Sequence, residues 1–308
     1  MKTTDERMRE FVEYHKTGDG ECNGILLKSF ADLHKMNVQE RYDLAYFYAV
    51  TYCIPSAIII FSEKKELLKA PEEWATACKS RLIFQSDRRY VRVGQNFQKM
   101  ISEYAKSNSS AEKFIKKTVV GNTINIEKAV SETTKWFFFG RFGAFLFVET
   151  LCMLMGYKSA NTTIDWKDGD TATSGLMNVF GLDKSADYFD KNEKLPSKLT
   201  QKKLDLLYSK LILHIKASGG DTNTTKVETS LCAYRKFYKG SRYNGYYLDR
   251  QLEELNHYKG FPEIASEIKE LFDLRRNLFA HKYLGELHDW KGVRKDCKTL
   301  YKRTGAMM

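Results

Sequence analysis

Residues Lys135–Tyr157 read KWFFFGRFGAFLFVETLCMLMGY. From Trp136 to Tyr157 the segment is almost wholly apolar, yet it carries two ions, Arg141 and Glu149. It approaches membrane length, but a spanning helix wants about 20 apolar residues with few charges. Two ions and three glycines argue instead for a helix buried in a protein core. A second apolar run, Leu44–Phe61 (LAYFYAVTYCIPSAIIIF), is interrupted by Pro55 and contains three tyrosines, so it too reads as core. The chain is therefore expected to have a helical interior and no membrane partner. Charges in apolar surroundings are costly unless they are paired or have a task, so the chemistry is sought first around Arg141 and Glu149.

Helical signals dominate outward from that segment. Only four prolines occur, and apolar residues recur at spacings of three and four. A helix is expected over Asn37–Tyr52, with Leu44, Phe47 and Tyr48 on its buried stripe, broken or kinked at Pro55. Pro71-Glu72-Glu73-Trp74 has proline first and acids in the first turn, which marks a helix start running towards Phe84. Phe97–Tyr104 is another candidate, and Ser107–Ser110 a loop. Ile124–Lys135 either continues into the apolar helix or is divided from it at Gly140. Leu204, Leu207, Leu211 and Ile215 define an amphipathic helix over Leu199–Ile215, followed by a loop at Ser218–Thr225. Val227–Phe237 reads as helix, and Pro262 opens a long one ending near Gly285. Val119-Val120 is the one strand-like spot. The expected fold class is mainly α: a single large helical domain, with a catalytic body over residues 1–217 and a C-terminal helical portion over 226–308, either a sub-lobe or part of the same domain.

Composition bounds the function. With 308 residues the chain can bury a large core. Fifty Lys+Arg against 39 Asp+Glu give a net charge of +11, which favours a polyanion partner, such as nucleic acid or a membrane surface, although a basic soluble enzyme has the same balance. Six cysteines lie far apart with no Cys-x-x-Cys, and no histidine has ligand spacing beside them, so no zinc site is read. The start, MKTTDERMRE, has no signal-peptide apolar core. The expectation is a reduced, cytoplasmic protein. No Gly-x-x-x-x-Gly-Lys-Ser/Thr, no Gly-x-Ser-x-Gly and no deaminase zinc signature is present.

Four constellations remain. Ser80–Lys99 (SRLIFQSDRRYVRVGQNFQK) sets Arg81, Arg88, Arg89, Arg92 and Lys99 against one acid, Asp87, with Phe84, Tyr90 and Phe97 interleaved. Guanidinium forks suit phosphate oxygens and aromatic faces suit unstacked bases, although a solvated basic face has the same composition. Arg141 and Glu149 lie a little over two turns apart and can lean to one side, either as a site or as an internal ion pair. A carboxylate in apolar surroundings has a raised pKa, which suits a general acid or base near neutrality. Asp165–Gly175 (DWKDGDTATSG) gathers Asp165, Asp168 and Asp170 around Trp166, then Thr173 and Ser174. A helix beginning near Ser174 would offer free amides to an anion, and the acids are able to take Mg²⁺; an ordinary capping loop looks the same. Arg242–Leu255 (RYNGYYLDRQLEEL) brings Tyr247, Asp249 and Arg250 to a glycine turn, as in a nucleotide pocket or as tyrosines packing a loop.

The pieces YDLAYFYAV, SRLIFQSDRRYVR, FGRFGAFLFVETL, DWKDGDTATSGLMN and YYLDRQLEEL, spanning Tyr42–Leu255, resemble a mainly phage-borne family, the α-glutamyl/putrescinyl thymine pyrophosphorylases or amino acid:DNA transferases. The resemblance implies a helical enzyme related to DNA glycosylases. Its substrate would be 5-hydroxymethyl-uracil in DNA, activated by (pyro)phosphorylation. An amine from an amino acid or polyamine displaces the phosphate to give a hypermodified thymine. Its setting would be the host cytoplasm if phage-encoded, and no resident cofactor is implied. No Leu-Pro-Gly-x-Gly helix-hairpin-helix clamp occurs in the chain. On these positions Arg81, Arg88, Arg89 and Arg141 suit the leaving anion, and Asp87 and Arg92 stand beside them as substrate-binding candidates. Glu149, Asp168 or Asp165 suits the base, and Trp166 and Tyr247 suit the pyrimidine. Two other readings compete. Arg276-Asn277 followed by His281 is similar to the Arg-x4-His pattern of HEPN ribonucleases. The charge of +11 also fits a non-enzymatic DNA-binding protein.

Overall fold

The computed structural model describes residues 2–84, 93–160, 164, 166, 170–182, 198–238 and 245–279. Its described elements are mainly α, as expected. The helices are α1 (Thr4–Lys16), α2 (Cys22–Leu33), α3 (Val38–Thr51), α4 (Ile54–Ser62), α5 (Lys64–Lys69), α6 (Pro71–Cys78), α7 (Val93–Glu103) and α8 (Ala111–Thr118). They continue as α9 (Ile126–Thr133), α10 (Arg141–Met155), α11 (Asp170–Phe180), α12 (Lys198–Ala217), α13 (Thr224–Tyr238), α14 (Tyr246–His257) and α15 (Ala265–Leu278). Three two-residue strands form one small sheet. β1 (Val119–Val120) pairs antiparallel with β2 (Thr123–Ile124), and β2 pairs parallel with β3 (Lys158–Ser159).

Two compact units divide these elements. One holds the described residues of 1–22 and 161–249, the other those of 23–160 and 250–281. We call them the α11 unit and the α10 unit. Each has its own apolar core.

In the α10 unit, helix α10 packs along α3. The start of α3 is set by a capping box: Asn37 Oδ1 accepts the Glu40 amide at 3.1 Å while Glu40 Oε2 accepts the Asn37 amide at 2.7 Å. The apolar run Leu44–Phe61 does not continue as one helix. Tyr52 turns left-handed at φ +52° and ends α3, and Pro55 occupies the first turn of α4, where its missing N–H costs nothing. Gly140 likewise separates α9 from α10 by serving as the N-cap of the latter, and Gly156, at φ +70°, ends α10. No described helix is long and apolar enough to cross a membrane. Gly24 lets α2 lie against α10, since a Cβ there would overlap the Sδ of Met153.

In the α11 unit, α11 packs most closely on α13, with α1 and α12 alongside. Gly175 explains the closeness: a Cβ at this position would collide with the Leu231 carbonyl. The buried stripe Leu204, Tyr208, Leu211 and Ile215 of α12 completes the core, as its spacing requires. The expected helix start near Ser174 is corrected here. Helix α11 begins at Asp170, because Ala172, Leu176 and Val179 form a helical stripe that buries against the core. The amides at Ser174 and Gly175 lie inside the helix and are not an anion site. Two further boundaries differ. Helix α6 stops at Cys78 rather than near Phe84, and Pro262 opens a single 3-10 turn before α15.

Candidate active site

Helix α10 places the first two sequence candidates. Arg141 is its first residue and is half-buried. Glu149 is only 8% exposed. Eight residues along an α-helix advance about 12 Å, and side chains lean towards the N-terminus. The carboxylate therefore tilts back towards the end from which Arg141 projects. Cys152, one turn further on, has its thiol pushed up by burial and then by the neighbouring Glu149 charge.

Ahead of α10 lies a compact turn. The Phe139 amide donates to the Trp136 carbonyl at 3.2 Å, closing residues 136–139. Its third residue, Phe138, has φ +64° and is 39% exposed. Glycine or asparagine normally fills that conformation, and a bulky side chain there costs about 1–2 kcal/mol. Lys99 Nζ lies 4.2 Å from the Phe137 ring centroid, so the last cation of the Ser80–Lys99 stretch meets the aromatic run of 135–139.

A line of polar and aromatic side chains runs inward from α10. Phe142 packs edge-on to Tyr52 with centroids 5.9 Å apart, and Tyr52 packs on Tyr48 at 5.7 Å. Asn23 Nδ2 donates to Tyr48 Oη at 2.8 Å, and Gln251 Nε2 donates to Asn23 Oδ1 at 3.0 Å. Gln251 Oε1 is buried with no hydrogen-bond partner among the described residues. Beside Gln251 on α14, Arg250 Nε forms a buried pair at 3.8 Å with Glu254 Oε1 one turn on. Burial, then Glu254, holds the nearby Cys53 thiol well above its usual range.

The other candidates are dispersed. Arg81 lies in the α10 unit, where Glu63 pairs with it and Glu263 approaches Nε at 3.6 Å. Two carboxylates thus offset its charge. Trp166 is 3% exposed in the core of the α11 unit, donates its indole N–H to Asp205 at 2.8 Å and packs edge-on to Tyr208. Thr173 and Ser174 are buried within α11 in that same unit. Tyr247 and buried Asp249 lie in the first turn of α14, also in the α11 unit. Asp87, Arg88, Arg89, Arg92, Asp165 and Asp168 lie outside the described residues. So does His281, while Arg276 has a side chain 69% exposed, 3.6 Å from Asp273. Among the described residues, no group of three or more His, Cys, Asp or Glu is arranged to hold a metal ion.

Asp43 and Asp19 are among the buried carboxylates that escaped the sequence reading. Asp43, on α3, pairs with Lys64 and accepts from Tyr104 Oη at 2.6 Å and Gln39 Nε2 at 2.7 Å. Burial raises its pKa against those partners. It sits in YDLAYFYAV, an acid in an apolar run, the same signal that drew attention to Glu149. Asp19 accepts the amides of Tyr247 and Leu248, each at 3.1 Å, and the Tyr14 hydroxyl at 3.3 Å. Burial outweighs those bonds and lifts its pKa to about 7. It caps α14 from a remote part of the chain, so no local pattern announces it.

A groove of about 450 Å³ near the start of α3 is not a rival site. Of its two cations, Arg41 already donates to the Met36 carbonyl at 2.9 Å and pairs with Asp32 at 2.7 Å, and Lys28 pairs with the same aspartate.

A family model described as amino acid:DNA transferase matches residues 28–243. No curated protein and no solved structure matches the chain.

Proposed function

The chain belongs to the amino acid:DNA transferase family, and on that premise we propose that it joins an amine to activated 5-hydroxymethyl-uracil in DNA. The ring of such a base pushes electrons towards its exocyclic methylene, so a phosphate or diphosphate attached there leaves readily. The amine nitrogen forms the new C–N bond with its lone pair. The bond between the methylene carbon and the phosphate oxygen breaks, and the departing phosphate or diphosphate keeps the electron pair. The enzyme's tasks are to take a proton from the ammonium before attack, cradle the anion and keep water from competing.

The burial of Glu149 carries this reading. A carboxylate this poorly solvated, on a helix opened by Arg141, is suited to remove the ammonium proton. Arg141 is suited to the departing anion, and Arg88, Arg89 and Arg92 are its proposed companions. Asp165 and Asp168 are the alternative bases. The amide and phenol line of Gln251, Asn23 and Tyr48 supplies acceptors and donors able to orient a pyrimidine edge or an ammonium. The substrate is the base in a DNA strand, with a small amine or amino acid as donor, and the setting is the cytoplasm.

The test is nucleoside mass spectrometry after incubation of the protein with 5-phosphomethyl-uracil DNA and mixed amines. The wild-type chain is expected to yield an amine adduct on the base. Glu149→Gln is expected to yield none while still binding DNA. Undiminished transfer by Glu149→Gln overturns the assignment of the base.

A further inference from the structure

Phe138 shares its left-handed backbone with Lys35 and Tyr52 of the α10 unit, and is the one of the three among the exposed large hydrophobic residues. It occupies the third position of the turn closed by Phe139 and Trp136, with φ +64°. Glycine is cheap there and phenylalanine is not. Gly140 stands two residues further on, so the chain has a glycine close by and places it elsewhere. The strained side chain is not spent on filling the core, since 39% of it is exposed, whereas its neighbour Phe139 is buried. Exposed aromatic surface held at a backbone cost points to a contact made with something else.

The surroundings specify the chemistry of that contact. Lys99 lies over the Phe137 ring, and Phe137 and Phe138 have centroids 6.0 Å apart. Lys135 and Lys117 share one carboxylate, Glu132, at the base of the turn, which leaves the patch with an excess of positive charge. A flat apolar ring framed by lysines fits a nucleic acid, with cations for the phosphates and a ring for the stack. An acidic protein partner would also meet the lysines, but the family's DNA substrate makes nucleic acid the favoured occupant.

We propose that Phe138 is a wedge that enters duplex DNA and occupies the place of the base drawn out for modification. The proposal rests on the transferase reading, because an enzyme that does chemistry on a base while keeping water out draws that base from its stack. Extruding a base leaves a gap whose neighbours lose their stacking partner, and an inserted ring replaces that loss. The rigid turn holds the ring outward before DNA arrives, so little ordering remains to be done on binding.

The experiment uses the full chain and a duplex carrying 2-aminopurine beside 5-hydroxymethyl-uracil, read by fluorescence and anisotropy. Wild type is expected to bind and to raise the 2-aminopurine signal as stacking is lost. Phe138→Gly is expected to abolish the rise and to weaken binding about fivefold or more, the smallest loss expected for one aromatic stack. Phe138→Trp is expected to keep both. The melting temperature of Phe138→Gly is expected to equal or exceed that of wild type; if it falls, Phe138→Asn, which also tolerates this backbone, takes its place. A full fluorescence rise with the glycine variant, or wild-type binding without any rise, overturns the wedge. Because fluorescence needs no transfer, a wedge effect without an amine adduct overturns only the proposed chemistry. Amine transfer with an unaffected glycine variant overturns only the wedge.

Discussion

Two neighbouring stretches of sequence, 135–149 and 166–175, look equally unusual and fold to different ends. Between 166 and 175, packing accounts for the main oddities: Trp166 is bonded to Asp205, and Gly175 makes room for the Leu231 carbonyl. Between 135 and 149, packing accounts for the apolar residues but not for a partly exposed Phe138 in a glycine conformation, and it buries the Glu149 carboxylate. The contrast teaches which oddities to pursue. A rare residue that completes a core is structural, and one that strains or desolvates the fold needs another reason to be there.

Four measurements can break or sharpen that contrast. Removing the Glu149 charge has the largest expected effect, a loss of about 10²–10⁴ in transfer rate for Glu149→Gln, read by nucleoside mass spectrometry. Next is Asp19, whose neutral form the fold favours. Its pKa of about 7 stands above the ordinary aspartate value of 3.8, so its contribution to stability is full below about pH 4 and is lost as pH rises to about 7. The shift corresponds to roughly 4 kcal/mol at most. Denaturant titrations of Asp19→Asn across that range are expected to lack this decline. His15 acts oppositely: burial lowers its pKa, so its contribution is lost as pH falls below about 6.5.

Third is Gly175→Ala, expected to cost about 1–3 kcal/mol by thermal or chemical melting, because a helix backbone must move. The matched change Gly140→Ala meets nothing within 4 Å and is expected to cost about 1 kcal/mol or less. Equal costs would remove the packing account of residue 175. Smallest is Trp166→Phe, which forfeits the bond to Asp205 and is expected to lower stability by about 1–2 kcal/mol. An unchanged melting curve would return Trp166 to the list of base-contacting candidates.

Much of the fold was legible because it is encoded locally. The Asn37–Glu40 pair marks the start of α3, and the leucine spacing of α12 marks its buried face. The start of α11 was misread because Thr171, Thr173 and Ser174 look like loop residues, while the deciding stripe of Ala172, Leu176 and Val179 is short and dilute. The site was less legible for a physical reason. The bonds that define its surroundings join residues far apart, as when Gln251 reaches Asn23 or Asp19 receives Leu248. Asp43 was within reach of the reasoning applied to Glu149 and shows that an ion inside an apolar run is as readily paired for stability as kept for chemistry. The arginines 88, 89 and 92 lie outside the described residues.

The cap that Asp19 places on α14 also orders events in time. Its carboxylate leaves the ribosome while the amides it will accept are still 228 and 229 residues from being made. At the usual translation speed that delay is on the order of 10–50 s. Throughout it, the first segment of the chain is born but cannot finish folding.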